Sequence, residues 1–266
     1  MTANHDLVED IRDYWSLRSK TFDLAFGHRI APGHETEAWT QPMREHLGAP
    51  PSTVLELACG TGEVTQLVHD LGHDVTALDF SEDMVAVARA KHAGKPRLRF
   101  LMADAGRTME PDASFDAILC RHLVWTLVEP ESALSDWYRI LRPGGRLLIF
   151  DGDWAKPAAS GRWAARLLAL WERILPDPHY DGAMSAAHGA IMQRLPFADG
   201  LTFHKLAAML AATGFTNIER LSHARIDRAQ RRGNGLRNRL RTRVYDRFIL
   251  VARKPGLHET SETLRQ

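Results

Sequence analysis

The sequence predicts an α/β fold, a parallel, doubly wound sheet of seven strands with helices on both faces. Two observations lead there. Between residues 52 and 151, five short apolar runs alternate with segments whose apolar residues recur at helical spacing, the rhythm of a parallel sheet with crossover helices. Four of the runs lead into polar or acidic residues (Asp79, Asp104, Cys120–Arg121–His122 and Asp151), and the first leads into a glycine turn. The chain has 266 residues, 44% apolar and 25% charged, enough for one large domain or a core with a cap.

The elements follow in chain order. Over residues 5–22, Leu7, Ile11, Tyr14 and Trp15 share a helical spacing, and Glu35 to Leu47 reads as a second helix, closed by G-A-P-P. That Gly/Pro cluster separates an N-terminal helical cap (1–50) from a core (51–255). Strand one is Thr53–Leu57, and Val64, Leu67, Val68 and Leu71 make one face of the helix after it. Strand two is Asp74–Leu78. Ser81 then fits the N-cap of a helix, with Glu82 and Asp83 at its positive dipole end. Strand three is Leu98–Met102 and strand four Phe115–Leu119. Leu134, Trp137, Tyr138 and Leu141 form the next helical face, R-P-G-G (142–145) a turn, and Arg146–Phe150 strand five. The rhythm breaks over 155–200, which reads as a helical lid inserted at the ligand end of the sheet. It resumes with a helix, a strand near Phe215–Leu221 and a last strand at Arg247–Arg253. Between these two strands the arginine-rich stretch 225–243 reads as a solvated excursion, and 256–266 as a disordered tail.

A net charge of +1 calls for neither nucleic acid nor an acidic membrane. Two cysteines exclude a disulfide framework and fit a reducing cytoplasm. The polar, acidic N-terminus lacks the pattern of a signal peptide, and no apolar run reaches the ~18 residues of a membrane span. Thirteen histidines invite a metal reading, but neither H-E-x-x-H nor C-x-x-C occurs, and no protein-held metal is expected. The expected partner is a small molecule, and the chain a monomer or homodimer.

The turn V-L-E-L-A-C-G-T-G-E (54–63) is the functional centre. Glycines admit left-handed backbone and close approach of a ligand, and the helix start beyond offers unpaired N–H groups. A dinucleotide would require a third glycine where Thr65 stands, and no G-K-[ST] follows, so neither that fingerprint nor a phosphate-binding P-loop is present.

These residues resemble motif I of the class I S-adenosylmethionine-dependent methyltransferases, in particular the small-molecule, UbiE-like type. D-F-S-E-D-M (79–84), A-D-A (103–105), F-D-A-I-L-C-R-H-L (115–123) and L-R-P-G-G-R-L (141–147) match the family's later motifs in order, across about 100 residues. The resemblance implies a Rossmann-like core and S-adenosylmethionine as cofactor. It places Ala58, Gly60 and Gly62 in the turn against the ligand, Asp79 on the ribose hydroxyls, and Asp104 and Ala105 on the adenine. Phe80 and Met84 would pack on the base, and Cys120 would border the ligand at the end of strand four. Tyr14 and Arg18 of the cap helix would close over the methionine part, the aromatic ring facing the sulfonium. Glu56 would orient the turn or the ammonium group.

For the acceptor, His122 and Asp151 are the candidate catalytic residues, His122 because an ordinary imidazole can take a proton near neutrality. Arg121 is a candidate for a substrate carboxylate. Trp125, Trp154 and Tyr180 are candidate walls of the substrate pocket. Two other activities use the same donor fold: intramolecular cyclisation of the aminobutyrate part with release of methylthioadenosine, and RNA modification or binding through the arginine stretch.

Overall fold

The computed structural model describes residues 2–175 and 182–257. A seven-stranded sheet runs through it in the order β3-β2-β1-β4-β5-β7-β6. The strands are β1 Thr53–Leu57, β2 Asp74–Asp79, β3 Leu98–Met102, β4 Phe115–Arg121, β5 Leu141–Asp153, β6 Thr216–Ser222 and β7 Asp246–Arg253. Neighbours from β3 to β5 are parallel, while β7 runs antiparallel to both β5 and β6. The sheet is therefore mixed, not wholly parallel. A parallel pair needs a crossover to the far end of the sheet. The chain between β6 and β7 instead leaves and re-enters at one end, the end where β1, β2 and β4 finish.

Helices α1 Thr2–Arg18, α2 His34–His46, α3 Glu63–Asp70, α4 Glu82–Lys91 and α5 Pro130–Ile140 are followed by α6 Arg162–Ile174, α7 Gly182–Arg194, α8 Phe203–Thr213, α9 Ala224–Arg232 and α10 Leu236–Arg241. Local signals set several boundaries. Ser81 accepts a hydrogen bond from the Met84 N–H (3.3 Å) as the N-cap of α4. Pro130 occupies the first turn of α5, where its missing N–H costs nothing. Gly214 ends α8 in the left-handed conformation.

Side chains alternate across each strand, so β1 buries both faces. Leu55 and Leu57 pack in a core shared with Leu7 of α1, Trp137 of α5 and Leu206 of α8. Val54 faces the other way, into a core with Trp39 of α2, Val68 of α3 and Ile226 of α9. Helices thus cover both faces, as the sequence pattern requires.

Two further expectations change. R-P-G-G lies within β5, where pairing shifts between Phe115 and Ala117 and Gly144 takes φ +77°; it is a bulged strand start, not a separate turn. The arginine stretch is not a solvated excursion but the helices α9 and α10, packed on α2 and α6. Of the tail expected over 256–266, residues 258–266 lie outside the described residues, as does Tyr180.

Candidate active site

A cavity of about 1450 Å³ opens where β1, β2 and β4 end. Pockets for one drug-sized ligand span roughly 300–1,000 Å³, so this one has room for a cofactor and a second molecule. Its lining falls into two ends that are built differently.

At the first end, β1 gives way to a turn in which Ala58 (φ +52°), Gly60 (φ +55°) and Gly62 (φ +83°) are left-handed. Ala58, Cys59 and Gly60 line the cavity. Gly62 does not; a Cβ there would stand 2.7 Å from His92 Nε2, so that glycine serves the packing of α3 against α4. Phe22 lies across Gly60, with a ring carbon 3.4 Å from where a Cβ would be. The 22–30 segment is held in place over the turn: Thr61 donates to Asp23 (2.5 Å), Lys91 bridges Asp23 and Glu63, and the Ile30 N–H donates to Glu63 (2.9 Å).

Asp79, at the end of β2, is 5% exposed and accepts from the N–H groups of Gly60 and Ser81, each at 2.9 Å. Burial raises its pKa, and those N–H groups act against the rise. Each carboxylate oxygen keeps lone pairs beyond the one used. Phe80, Met84, Asp104 and Ala105 complete this wall. The Asp104 carboxylate accepts from Gly106 N–H (2.7 Å), and the Ala105 carbonyl is fixed by Trp137 Nε1 (2.7 Å).

Beside the turn lies a buried polar group of three. Glu56 Oε2, Arg121 Nη1 and His28 Nδ1 have no hydrogen-bond partner among the described residues, and all three side chains line the cavity. Burial pushes Glu56 up to about 8, against the pull of Thr65 and Arg121. Burial and then the positive charges of Arg121 and Arg18 push His28 down to about 3. Orphaned buried groups are rare in native proteins and ask for a partner. Here a carboxylate and a guanidinium stand in one wall, a fit for an ammonium and a carboxylate carried by one ligand. Tyr14 and Arg18 of α1 reach the same cavity, with Arg18 Nη1 donating to Tyr14 Oη (3.2 Å).

The second end is mainly aromatic and apolar, with Glu172, Arg241 and Arg247 also in its lining. His122 takes φ +56° after β4, with its N–H donating to the Phe150 carbonyl (2.8 Å). A non-glycine residue pays about 1–2 kcal/mol for that conformation, and such strain often marks functional positions. Its imidazole meets the Trp154 ring edge-on at 4.8 Å, and Trp154 meets Tyr245 at 5.5 Å. Burial, then Arg121 and His28, hold the His122 pKa well below the usual value. The imidazole is therefore neutral at physiological pH, a weaker base than the sequence implied. Trp125 lines this end, with His188 of α7 beside it at 5.7 Å.

Besides Gly62, two expected site residues do not reach the cavity. Asp151 is 1% exposed and spends its oxygens on Val124 N–H, Gly152 N–H and Trp154 Nε1, all at 2.8–2.9 Å. Burial raises its pKa to about 7. It positions Trp154 and the chain after β4 instead of facing a substrate. Cys120 is fully buried in the core of the sheet, because its place in β4 turns it away from the opening.

Other lining residues escaped the sequence reading. Phe22, Phe26 and His28 come from a loop without periodicity. Leu168 of α6 comes from the insertion, Arg241, Val244 and Tyr245 from the connection between β6 and β7, and Arg247 from the start of β7. The return of that connection to the cavity end of the sheet is what brings them in. The aromatic Tyr245 at the close of an arginine run was the one local signal.

Residues 55–149 match the family model described as a methyltransferase domain. The chain is 32% identical over 170 residues to a demethylmenaquinone methyltransferase of Thermus thermophilus, covering 62% of this chain and 75% of that protein. It is 33% identical over 177 residues to a demethylmenaquinone methyltransferase of Deinococcus radiodurans, covering 64% and 70%. Among solved structures, phosphoethanolamine N-methyltransferase 2 of Haemonchus contortus, in complex with S-adenosyl-L-methionine, superposes with a TM-score of 0.63 at 17% identity. That match covers 91% of this chain and 57% of the other, and it speaks for the fold.

Proposed function

The chain belongs to the class I S-adenosylmethionine-dependent methyltransferases that act on small molecules, and within that family we propose that its acceptor is the ring of a lipophilic quinol. The observation that carries this reading is the second end of the cavity, whose aromatic and apolar walls (Trp125, His122, Trp154, Tyr245, Leu168) suit a flat ring with an apolar substituent. The names of the two bacterial relatives point the same way.

The first end fits the cofactor. Asp79 would accept from the ribose hydroxyls, Asp104 and Ala105 would meet the adenine, and Phe80 and Met84 would pack against it. Glu56 would hold the ammonium group and Arg121 the carboxylate, which moves Arg121 from the acceptor to the donor side. When bound, S-adenosylmethionine would supply an electrophilic methyl group to a nucleophilic ring carbon, with S-adenosylhomocysteine as the leaving group and the displaced ring proton released to solvent. The protein's part is position and dryness. Trp154 and Trp125 exclude water from the ring. His122, neutral, can accept a hydrogen bond from a quinol hydroxyl and so raise the electron density of the ring. α1 would close the donor side, and α6 with α7 the acceptor side, as caps on a core spanning 51–255.

The room beyond the donor end favours transfer to a second molecule over cyclisation of the cofactor, which needs no such space. Incubation with methyl-labelled S-adenosylmethionine and a reduced naphthoquinone tests the reading by mass spectrometry. The expected product is the acceptor one methylene heavier, with S-adenosylhomocysteine in equal amount. Methylthioadenosine without a labelled acceptor would overturn it, as would labelling of hydrophilic amines in preference to quinols.

A further inference from the structure

We propose that the outer face of α6 docks the protein on an anionic membrane surface. α6 is apolar on more sides than a cavity wall requires. Ala164 and Leu168 are buried against Leu240 and Val244, and Leu168 also lines the cavity. On the far side, Trp163, Leu167, Leu170 and Ile174 are 48%, 49%, 57% and 72% exposed. At 3.6 residues per turn these four fall in one stripe about 60° wide. Arg162, Arg166 and Arg173, all exposed, fall in the stripe beside it.

A tryptophan and aliphatic side chains edged by arginine are the composition of a helix that lies in a bilayer interface. With 13 residues, α6 is too short to span, and no described helix is long and apolar enough to cross a membrane.

Charge complementarity selects the surface. The net charge of +1, which argued against a membrane, conceals a separation. Segments 162–174 and 224–243 together hold eleven arginines against two acids, Glu172 and Asp227, so the remainder of the chain is net negative. These segments are neighbours in space: α10 packs on α6, Arg237 and Arg241 pair with Glu172, and the Arg243 guanidinium lies over the Trp163 ring at 5.7 Å. An array of this kind is drawn to anionic headgroups, each basic residue adding to the attraction. A second copy of the chain fits the face poorly, because apolar contact would bring like-charged arginine stripes together. RNA fits poorly because Trp163, the one aromatic residue of the stripe, is already covered by Arg243.

The surface stands apart from the identity of the acceptor, so its test fails or succeeds separately from the methylation assay. If the quinol reading holds, a lipophilic acceptor would pass from the bilayer along α6 into the cavity. The full-length protein is floated with phosphatidylglycerol-containing vesicles and with pure phosphatidylcholine vesicles, at low and high salt. Expected is binding at least about tenfold tighter to the anionic vesicles, weakened by salt. The triple variants Leu167→Ser/Leu170→Ser/Ile174→Ser and Arg162→Glu/Arg166→Glu/Arg173→Glu should each lose about tenfold or more of it, with cofactor affinity and melting temperature retained. Equal binding to both vesicle types, or binding untouched by the variants, would overturn the proposal. So would salt-dependent RNA retention in place of vesicle binding, or a dimer in size exclusion that the leucine variant dissociates.

Discussion

The two ends of one cavity are made by different means. The donor end is built from strand ends and the turns that follow them, with backbone N–H groups fixed by carboxylates: Gly60 and Ser81, buried, on Asp79, and Gly106, at the surface, on Asp104. The acceptor end is built by side chains from elements far apart in the chain, so that His122 meets Trp154, Trp154 meets Tyr245 and Trp125 meets His188. The first arrangement is rigid and polar and suits a ligand that does not vary. The second is apolar and adaptable and suits an acceptor defined by shape. The difference predicts that substitutions will separate cleanly into those that lose the donor and those that lose the acceptor.

The largest effect is expected at Asp79. Asp79→Ala removes the acceptor of two buried N–H groups as well as the proposed ribose contacts, each orphaned group costing about 1–3 kcal/mol. Calorimetric cofactor affinity should fall by about a hundredfold or more, with a lower melting temperature. Asp79→Asn should retain much of the stability and still lose about tenfold in affinity. A variant that binds cofactor normally but turns over slowly would merge the two ends.

Trp154→Ala should act on the other end alone. It opens the wall beside His122 and takes one of three donors from Asp151. Steady-state kinetics should show the acceptor KM rising about tenfold while the cofactor Kd stays within about twofold. His122→Ala should lower kcat at saturating cofactor by a similar factor, and because the imidazole is neutral throughout, His122 should impose no acid limb near pH 6.5 on the wild-type rate.

The same contrast explains what the sequence revealed. Each donor-end motif is local: a strand, a turn of a few residues and a helix start, whose periodicity and glycines can be read in one window. Strands β1 and β3 lie where the apolar runs put them, and Ser81 caps α4 as its position suggested. At the acceptor end no window contains the partners. Asp151 looked like a base because an acid after a strand faces the opening in many sheets; its side chain turned inward, to three donors. Cys120 failed through strand parity. The arginine stretch hid two helices because its buried apolar positions, Ile226 and Leu240, are too few to show a period among arginines. Its place over the cavity depends on β7 running antiparallel, which no local signal announces.

The two glycines of the turn sharpen the boundary of the donor end. Gly60→Ala and Gly62→Ala both place a Cβ on left-handed backbone, at about 1–2 kcal/mol of stability. Only Gly60 borders the cavity. Its Cβ would stand in ordinary contact with Phe22 at 3.4 Å and project toward the ligand side, whereas that of Gly62 would clash with His92 at 2.7 Å. Thermal denaturation should show a loss for both variants, the larger for Gly62→Ala because of its clash with His92. Cofactor affinity should fall about tenfold for Gly60→Ala and stay within about twofold for Gly62→Ala. Equal loss of affinity would extend the donor end to the start of α3.

The finest test is the pH dependence of the ligand-free protein. Glu56 is raised from 4.5 to about 8 by burial, so between these values the folded state holds a proton that the unfolded state has lost, and stability falls as pH rises. Asp151 acts in the same direction, ending near 7. His28, lowered from 6.5 to about 3, acts in the opposite direction: below 6.5 the unfolded state takes a proton that the folded state refuses, so stability rises with pH through that window. The two slopes oppose each other from about 4.5 to 6.5, and above about 7 the contribution of Glu56 remains. Glu56→Gln keeps the neutral shape and cannot ionise. It should match the native chain below about pH 4.5, gain on it by up to about 1.4 kcal/mol per pH unit between about 4.5 and 8, and so flatten the fall across that window in denaturant titrations. If Glu56 serves the ammonium of the donor, the same substitution weakens cofactor binding while leaving the acceptor KM alone. Stability gained where binding is lost is the signature of a buried carboxylate kept for a ligand, whereas a purely structural Glu56 would leave cofactor affinity unchanged.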